Sequence, residues 1–464
     1  MNCIYAALCT GVAHKANREK TVHIMPSPPL YPCLRNQLDL FAAQPVAIGP
    51  VKATYEVLFP TSNISAPSAP IEFVSAASSD NFTKLDETQL EIKASILTES
   101  GASPSESSVA APVNNVLHSL FEQVEVYLGD TRVSSASLNY SYKAYIQTVT
   151  NFDAQEKDTH LSSQHFYRDN NLSTVTARPA DQSERNDGLI KRCKACTRVD
   201  SFTMIGKPHC DIFNIRRLLL PGVSMRLRFI RSSQNFVMLH PTDKHKIVIS
   251  SAKLKICRVA VSDAVSLATE KALDVRPAIY PMIRSDIKIF HVPLGSGHHN
   301  CENLFNGSVP RRIVLGVIGN AAYNGAINKN PYNFKHHNVK EITVYVDGKP
   351  AVMNKLTMDY KNKQCAMAFM TLFFGRGGVS AANGNGLSVE DFRKGYALYS
   401  IDLTPTLEAG NTLTAFPPRT ANIRVKLVFA KNTTKVYNVV VLCESDATIS
   451  IDQERNVTTD FSER

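Results

Sequence analysis

Four groups of residues have types and spacings that could do chemistry. Cys193-Lys-Ala-Cys196, with His209 and Cys210 close behind, offers thiolate and imidazole ligands of the kind zinc takes. A structural zinc site needs four converging ligands, and no second Cys-x-x-Cys pair lies within reach. Residues 193–204 and 207–213 read as strand segments, on which successive side chains diverge to opposite faces, so no metal is expected. The doublets His298-His299, with Cys301 nearby, and His336-His337 fail as chelates for the same reason. Their Gly/Asn-rich surroundings make them loop-borne surface histidines, with a pH-sensitive contact as the lesser alternative. Gly375-Arg-Gly-Gly378, with Gly384 and Gly386, has the flexibility of a phosphate loop. It lacks the Gly-Lys-Ser/Thr that would follow and a strand leading into a long helix. No Gly-x-Ser-x-Gly elbow and no framed acidic pair is present. The expectation is therefore a protein with no catalytic, cofactor-binding or metal-ligating residues, not an enzyme.

The elements that would carry these residues belong to a long chain. Its 464 residues exceed what one hydrophobic core organises, so at least two domains are expected. Hydrophobic residues make up 44% and charged residues 20%, and no stretch is long and apolar enough to span a membrane. Met1 to Val12 is mildly apolar but has no basic lead or cleavage site, and is read as no signal peptide. The ten cysteines are irregularly spaced, and Cys257 and Cys443 sit inside apolar runs, which fits a reducing compartment better than a disulfide framework. Without a secretion signal, glycosylation triplets such as those at Asn63, Asn139 and Asn306 carry little weight. A formal charge of +10 is a weak pointer to nucleic acid, and no basic tail concentrates it.

From about residue 50 the pattern is one of short alternating runs separated by Gly, Asn, Asp and Pro. Val124-Glu-Val-Tyr-Leu128 is followed by Gly129-Asp130, and Ile342-Thr-Val-Tyr-Val346 by Asp347-Gly348, a two-residue hairpin signal. Val223 to Phe229 and Ile423 to Phe429 form a second pair. Each sets apolar residues at alternate positions and basic ones between: Arg226 and Arg228 in one, Arg424 and Lys426 in the other. The members of each pair lie about 200 residues apart, in the same order, which predicts two copies of one β-architecture in tandem.

Three short helices interrupt this. Tyr142, Tyr145, Ile146 and Val149 fall at i, i+3, i+4 and i+7. Ser388 can cap a helix closed by Gly395. Ser262 to Leu273, capped by Ser262 or Asp263 and ended by Arg276-Pro277, presents Val265, Ala268 and Ala272 on one face and is read as a linker. The reading is all-β: two tandem jelly-roll β-sandwiches of about eight strands each. Residues 1–39 are an irregular extension, 40–261 the first jelly roll, 262–277 the linker helix, 278–453 the second jelly roll and 454–464 a loose polar tail. The polar inserts Asp153 to Asp187 and Gly375 to Gly386 are expected to protrude outward or to lock neighbouring subunits.

Several ordered blocks carry a more specific likeness. Ala111 to Phe121 continuing through Gln123 to Tyr127, and Ile205-Gly206 with Asp211 to Ser232, resemble blocks in the first domain of major capsid proteins encoded by Polinton (Maverick) DNA elements and adintoviruses. Glu302 to Gly307, Pro310 to Val314, Asn330 to Lys335, Tyr345 to Gly348 and Gly395-Tyr396 through Asp402 to Pro405 are similar to blocks in the second domain, in the same order. The resemblance spans roughly residues 40 to 455; residues 1–35 have no counterpart. It implies a double jelly roll that trimerises into pseudo-hexameric capsomers and tiles an icosahedral shell around double-stranded DNA. The implied partners are two further copies, neighbouring capsomers, a single-jelly-roll penton protein and, non-specifically, the packaged DNA. The implied location is the virion capsid, after assembly inside the host cell.

Jelly rolls also bind ligands, so fold alone does not decide the function. A tandem lectin is the alternative. The absence of Trp from the chain weighs against it, since sugars commonly stack on aromatic rings. A cupin-type metalloenzyme ranks last, because the histidine doublets do not occupy alternate strand positions.

Overall fold

A computed structural model describes residues 49–461, apart from 65, 67–68, 136, 241–243, 303, 305–308, 352–354, 375–383 and 411–414. The expected extension over residues 1–39, Asn306 and Gly375 to Gly378 lie outside the described residues.

The strands of the first half are β1 (Pro50–Leu58), β2 (Ile71–Ser75), β3 (Phe82–Thr98), β4 (Phe121–Leu128), β5 (Thr131–Arg132), β6 (Phe202–Gly206), β7 (Met225–Arg231) and β8 (His245–Val261). Those of the second half are β9 (Ala278–Val292), β10 (His298–Cys301), β11 (Arg312–Gly319), β12 (Val339–Val346), β13 (Lys349–Pro350), β14 (Leu398–Asp402), β15 (Ile423–Phe429) and β16 (Tyr437–Ile451). The first half forms two antiparallel sheets, ordered β1-β8-β3-β6 and β2-β7-β4-β5. The second forms β9-β16-β11-β14 and β10-β15-β12-β13. Each strand of the second half thus takes the place of the strand eight earlier, and the chain is a double jelly roll.

The four segments paired by their sequence pattern are β4 and β12, β7 and β15. In each sandwich the two lie side by side: Val126 opposes Leu227, and Val344 opposes Val425. The Asp347-Gly348 turn has φ of 50° and 75°, the left-handed values at both central positions that this hairpin requires.

The helices include α1 (Tyr140–Asn151), α2 (Asp187–Arg192), α3 (Asp263–Leu273) and α4 (Val389–Lys394). All four apolar residues that predicted α1 are buried. Ser388 caps α4 by accepting from the Asp391 N–H, and Gly395 closes it at φ 151°. α3 joins the sandwiches as expected but by another face: Leu273 is buried, whereas Ala268 and Ala272 are not.

Three expectations need correction. Residues 193–197 are not strand: Cys193–Thr197 continues α2 as one wide helical turn, and Asp211–Asn214 is a tight 3-10 turn. Leu189, Arg192, Cys193 and Cys196 recur at helical spacing and are all buried, but the arginine in that stripe hides its character in the sequence. The polar end of the chain is not loose, because Val457–Thr459 adds a strand to β16. Arg455 also reaches the Pro221 carbonyl and the Glu270 carboxylate. The Asp153 to Asp187 insert does not simply protrude, since Leu161, Phe166, Asp169 and Leu172 are buried.

Two apolar cores result, and neither stops at a sandwich boundary. The second core takes in Tyr142, Tyr145, Ile146, Leu161, Phe166 and Leu172 from the first half. The first core takes in Tyr280, Met282, Ala447, Ile449 and Ile451 from the second.

Candidate functional site: the joint between the sandwiches

A highly organised polar cluster lies where α1 meets the second sandwich. One face of α1 is aromatic. Tyr145 stacks on Tyr332 with ring centroids 4.0 Å apart, and Tyr142 packs against Tyr323, Tyr332 and Phe334. Ser119 and Tyr332 share a hydroxyl hydrogen bond of 2.6 Å across the same boundary.

The opposite face of α1 is polar yet equally buried. Lys143 Nζ donates to Asp211 Oδ2 at 2.8 Å and to the Ser285 carbonyl of β9 at 3.1 Å. Gln147 Nε2 donates to Ser285 Oγ, and the Ser285 N–H donates to Asp211 Oδ2 at 2.9 Å. Burial raises the Asp211 carboxyl above its usual range, opposed by Lys143. A buried charge is tolerated only when paired and hydrogen-bonded, and this pair is both.

Behind it sit two histidine rings in edge-to-face contact, His118 and His209, 4.6 Å apart. The His209 N–H donates to the Tyr140 hydroxyl, so that hydroxyl's own hydrogen points to His118 Nδ1 at 3.0 Å. The His118 proton then lies on Nε2 and is donated to Gln164 Oε1 at 2.9 Å. His118 is thereby fixed as a neutral tautomer. Burial lowers its pKa to about 4. His209 falls well below its ordinary value through burial, with His118 and Lys143 adding to the effect.

A second buried ion pair ties the insert to both halves. Arg192 and Asp169 are wholly buried and 3.0 Å apart. Arg192 Nε also donates to the Pro112 carbonyl, and the Tyr396 hydroxyl of the second sandwich donates to the Asp169 carbonyl at 2.9 Å. Arg168 reaches the Gly386 carbonyl, and Lys157 that of Asn385. Arg312 of β11 holds Glu444 of β16 through two 2.8 Å bonds and touches Asn151 at the end of α1.

The residues singled out in the sequence do not gather. Cys193 belongs to the second core, and Cys196 and Cys210 to the first. Burial pushes the thiol pKa of Cys210 up to about 12, so it is a poor metal ligand at neutral pH. His298–Cys301 is a strand paired with β15 rather than a loop, with His298 exposed and Cys301 buried. His336 and His337 diverge as expected for a doublet but are not free surface side chains. His336 stacks on Tyr360 at 4.0 Å and His337 on Tyr437 at 4.2 Å. Among the described residues, no three His, Cys, Asp or Glu side chains are grouped to hold a metal.

A groove of about 750 Å³ opens between Arg185, Lys335, Asp391, Arg393 and Lys394. Most of its cations are already matched, Arg393 and Lys394 by Glu390 and Arg185 by Asp187. Among the described residues that line it, no nucleophile stands beside a base. The chemistry this arrangement supports is rigid joining. Lys143, Gln147, Asp211 and Arg192 escaped the sequence reading because polar residues on a surface-like helix, or far apart in the chain, carry no periodic signal.

No family model matches the chain. The Caenorhabditis elegans protein F54H12.2, described as uncharacterized, is 26% identical over 405 residues, which cover 83% of this chain and 92% of that one. Among solved structures, a chain of the Sputnik virophage superposes with a TM-score of 0.60 at 12% identity, covering 94% of both chains. The Faustovirus major capsid protein gives 0.55 at 8% identity, covering 91% of this chain and 93% of its own. The mavirus major capsid protein gives 0.53 at 11% identity, covering 97% of each. These neighbours are double-jelly-roll major capsid proteins, and this chain has their fold.

Proposed function

We propose that this chain is a major capsid protein with a structural, non-catalytic role. Three copies form a pseudo-hexameric capsomer, and capsomers assemble an icosahedral shell around double-stranded DNA. The observation that carries this reading is end-to-end coverage: the likeness to capsid subunits takes in both sandwiches and the joint, at 94% of both chains for the virophage protein. A shell subunit must resist shear between its two halves, and the buried polar joint supplies that stiffness.

The ordered sequence blocks favour the Polinton (Maverick) and adintovirus branch. A relative of similar extent in a nematode fits a capsid gene carried in an animal genome. The penton partner is a single-jelly-roll protein of the same element, and contact with packaged DNA is non-specific and therefore weakened by salt. The protein's place is the virion capsid.

The test is size-exclusion chromatography with light scattering on the full-length protein, followed by negative-stain microscopy. The expected result is a mass three times that of one chain and particles with a hexagonal outline. A strictly monomeric protein that binds a defined glycan would overturn the reading in favour of the lectin alternative.

A further inference from the structure

The two sandwiches carry the same apolar face at the same place, and among the described residues only one of the two is covered. Counted back from the ends of β16 and β8, Tyr280 opposite Ile449 and Met282 opposite Ala447 correspond to Ala53 opposite Val259 and Tyr55 opposite Cys257. In the second sandwich this face is sealed by the connection between β6 and β7 of the first. The Tyr280 hydroxyl donates to the Leu218 carbonyl at 3.1 Å and accepts from the Leu220 N–H at 3.2 Å. Tyr280, Met282, Ala447 and Ile449 share a core with Leu219, Leu220 and Val223.

In the first sandwich the equivalent strip stands open. Val51 is 69% exposed, Tyr55 57%, Val57 42% and Phe59 64%. The neighbouring charges already satisfy one another, Lys84 with Glu87 and Lys253 and Lys255 with Glu91. The strip is therefore apolar rather than charged, and among the described strands β1 is an edge, paired on one side alone. Natural proteins cover or blunt such an edge.

We infer that β1 and the strip beside it are the docking surface for a second copy of this chain. That copy covers the strip with the β14–β15 connection of its second sandwich. That connection is the counterpart of the one that seals Tyr280. Asp402 holds its start by accepting from the Thr404 and Ala409 N–H groups, and it presents Leu407 47% exposed. The contact repeats between chains the step already made within the chain, so the interface is head-to-tail and closes into a ring. This assignment rests on the trimer reading above and names its interface.

The test uses the full-length protein with the photo-cross-linker benzoylphenylalanine in place of Tyr55. Irradiation is expected to give inter-chain products whose peptides fall in residues 403–422. In parallel, a Tyr55→Arg/Val57→Asp variant is expected to shift the mass from trimer to monomer, with at least a tenfold loss of trimer at the same concentration. Cross-links confined to one chain, to residues 1–48 or elsewhere, would overturn the assignment, and so would a double variant that remains trimeric. In either case a trimeric wild type leaves the capsomer reading standing. A monomeric wild type sinks both.

Discussion

Arg226 of β7 lies over the ring of Tyr127 of β4, 4.3 Å from its centroid, and Arg424 of β15 lies over Tyr345 of β12 at 4.5 Å. In each case the two residues are direct cross-strand partners, and in each the tyrosine precedes the hairpin turn by the same interval. The same pair thus stands at the same register in both sandwiches. Its effect is local: it pins the register of two central strands from the solvent side while alternate apolar residues fill the core.

Replacing either tyrosine by alanine should therefore cost a similar, small amount, about 0.5–1 kcal/mol for a solvent-exposed cation–π contact. Urea unfolding of Tyr127→Ala and Tyr345→Ala checks this. A loss several times larger at one site than at the other would show that the two pairs are not equivalent.

Breaking the buried Arg192–Asp169 pair should be far more damaging. Asp169→Ala leaves a guanidinium with 0% exposure and no carboxylate partner, at a cost of about 3–5 kcal/mol. The expected readout is poor soluble yield or a large drop in melting temperature. A near-wild-type melt would mean that the pair contributes little to the joint.

The histidine pair makes the joint acid-sensitive. His118 is held neutral with a pKa of about 4, against about 6.5 in an unfolded chain. Its contribution is complete above about pH 6.5 and is lost as the pH falls towards 4, at roughly 1.4 kcal/mol per pH unit. His209 is lowered further and adds to the slope. Asp211, raised in the fold, works in the opposite sense as the pH falls through its folded value towards its unfolded one. Urea midpoints measured at pH 7, 6 and 5 should fall steeply for the wild type and less so for His118→Gln, which keeps hydrogen-bonding capacity without the charge. Parallel slopes would dismiss His118 as the source.

The closing segment should behave as part of the fold. Arg455→Ala removes the bonds to the Pro221 carbonyl and to Glu270 and should lower stability by about 1–2 kcal/mol. It should also speed protease cleavage after β16. Unchanged proteolysis would indicate that the strand holds without its arginine.

Much of the architecture was legible in the residues. The alternation in Val124–Leu128, Ile342–Val346, Val223–Phe229 and Ile423–Phe429 picked out the central strands of both sandwiches, and their order exposed the duplication. The apolar spacing of Tyr142, Tyr145, Ile146 and Val149 and the capping residue Ser388 located two helices. These signals survive because they depend only on neighbours along the chain.

The joint was not legible. Lys143, Gln147 and the Asp153 to Asp187 insert have the composition of a solvated surface, and only the approach of β9 and the Tyr396 segment turns them into interior. The helical turn at Cys193 was masked by Arg192, whose buried charge makes sense only opposite Asp169.

By itself the sequence determined that every second side chain of repeated β-segments fills an apolar interior, and that this happens twice. Tertiary structure alone decided how the two halves lock together and which of two equivalent faces remains open. The physical reason is that strand periodicity is a local property of the backbone. Burial of a polar side chain, or exposure of an apolar one, depends on what distant segments bring against it.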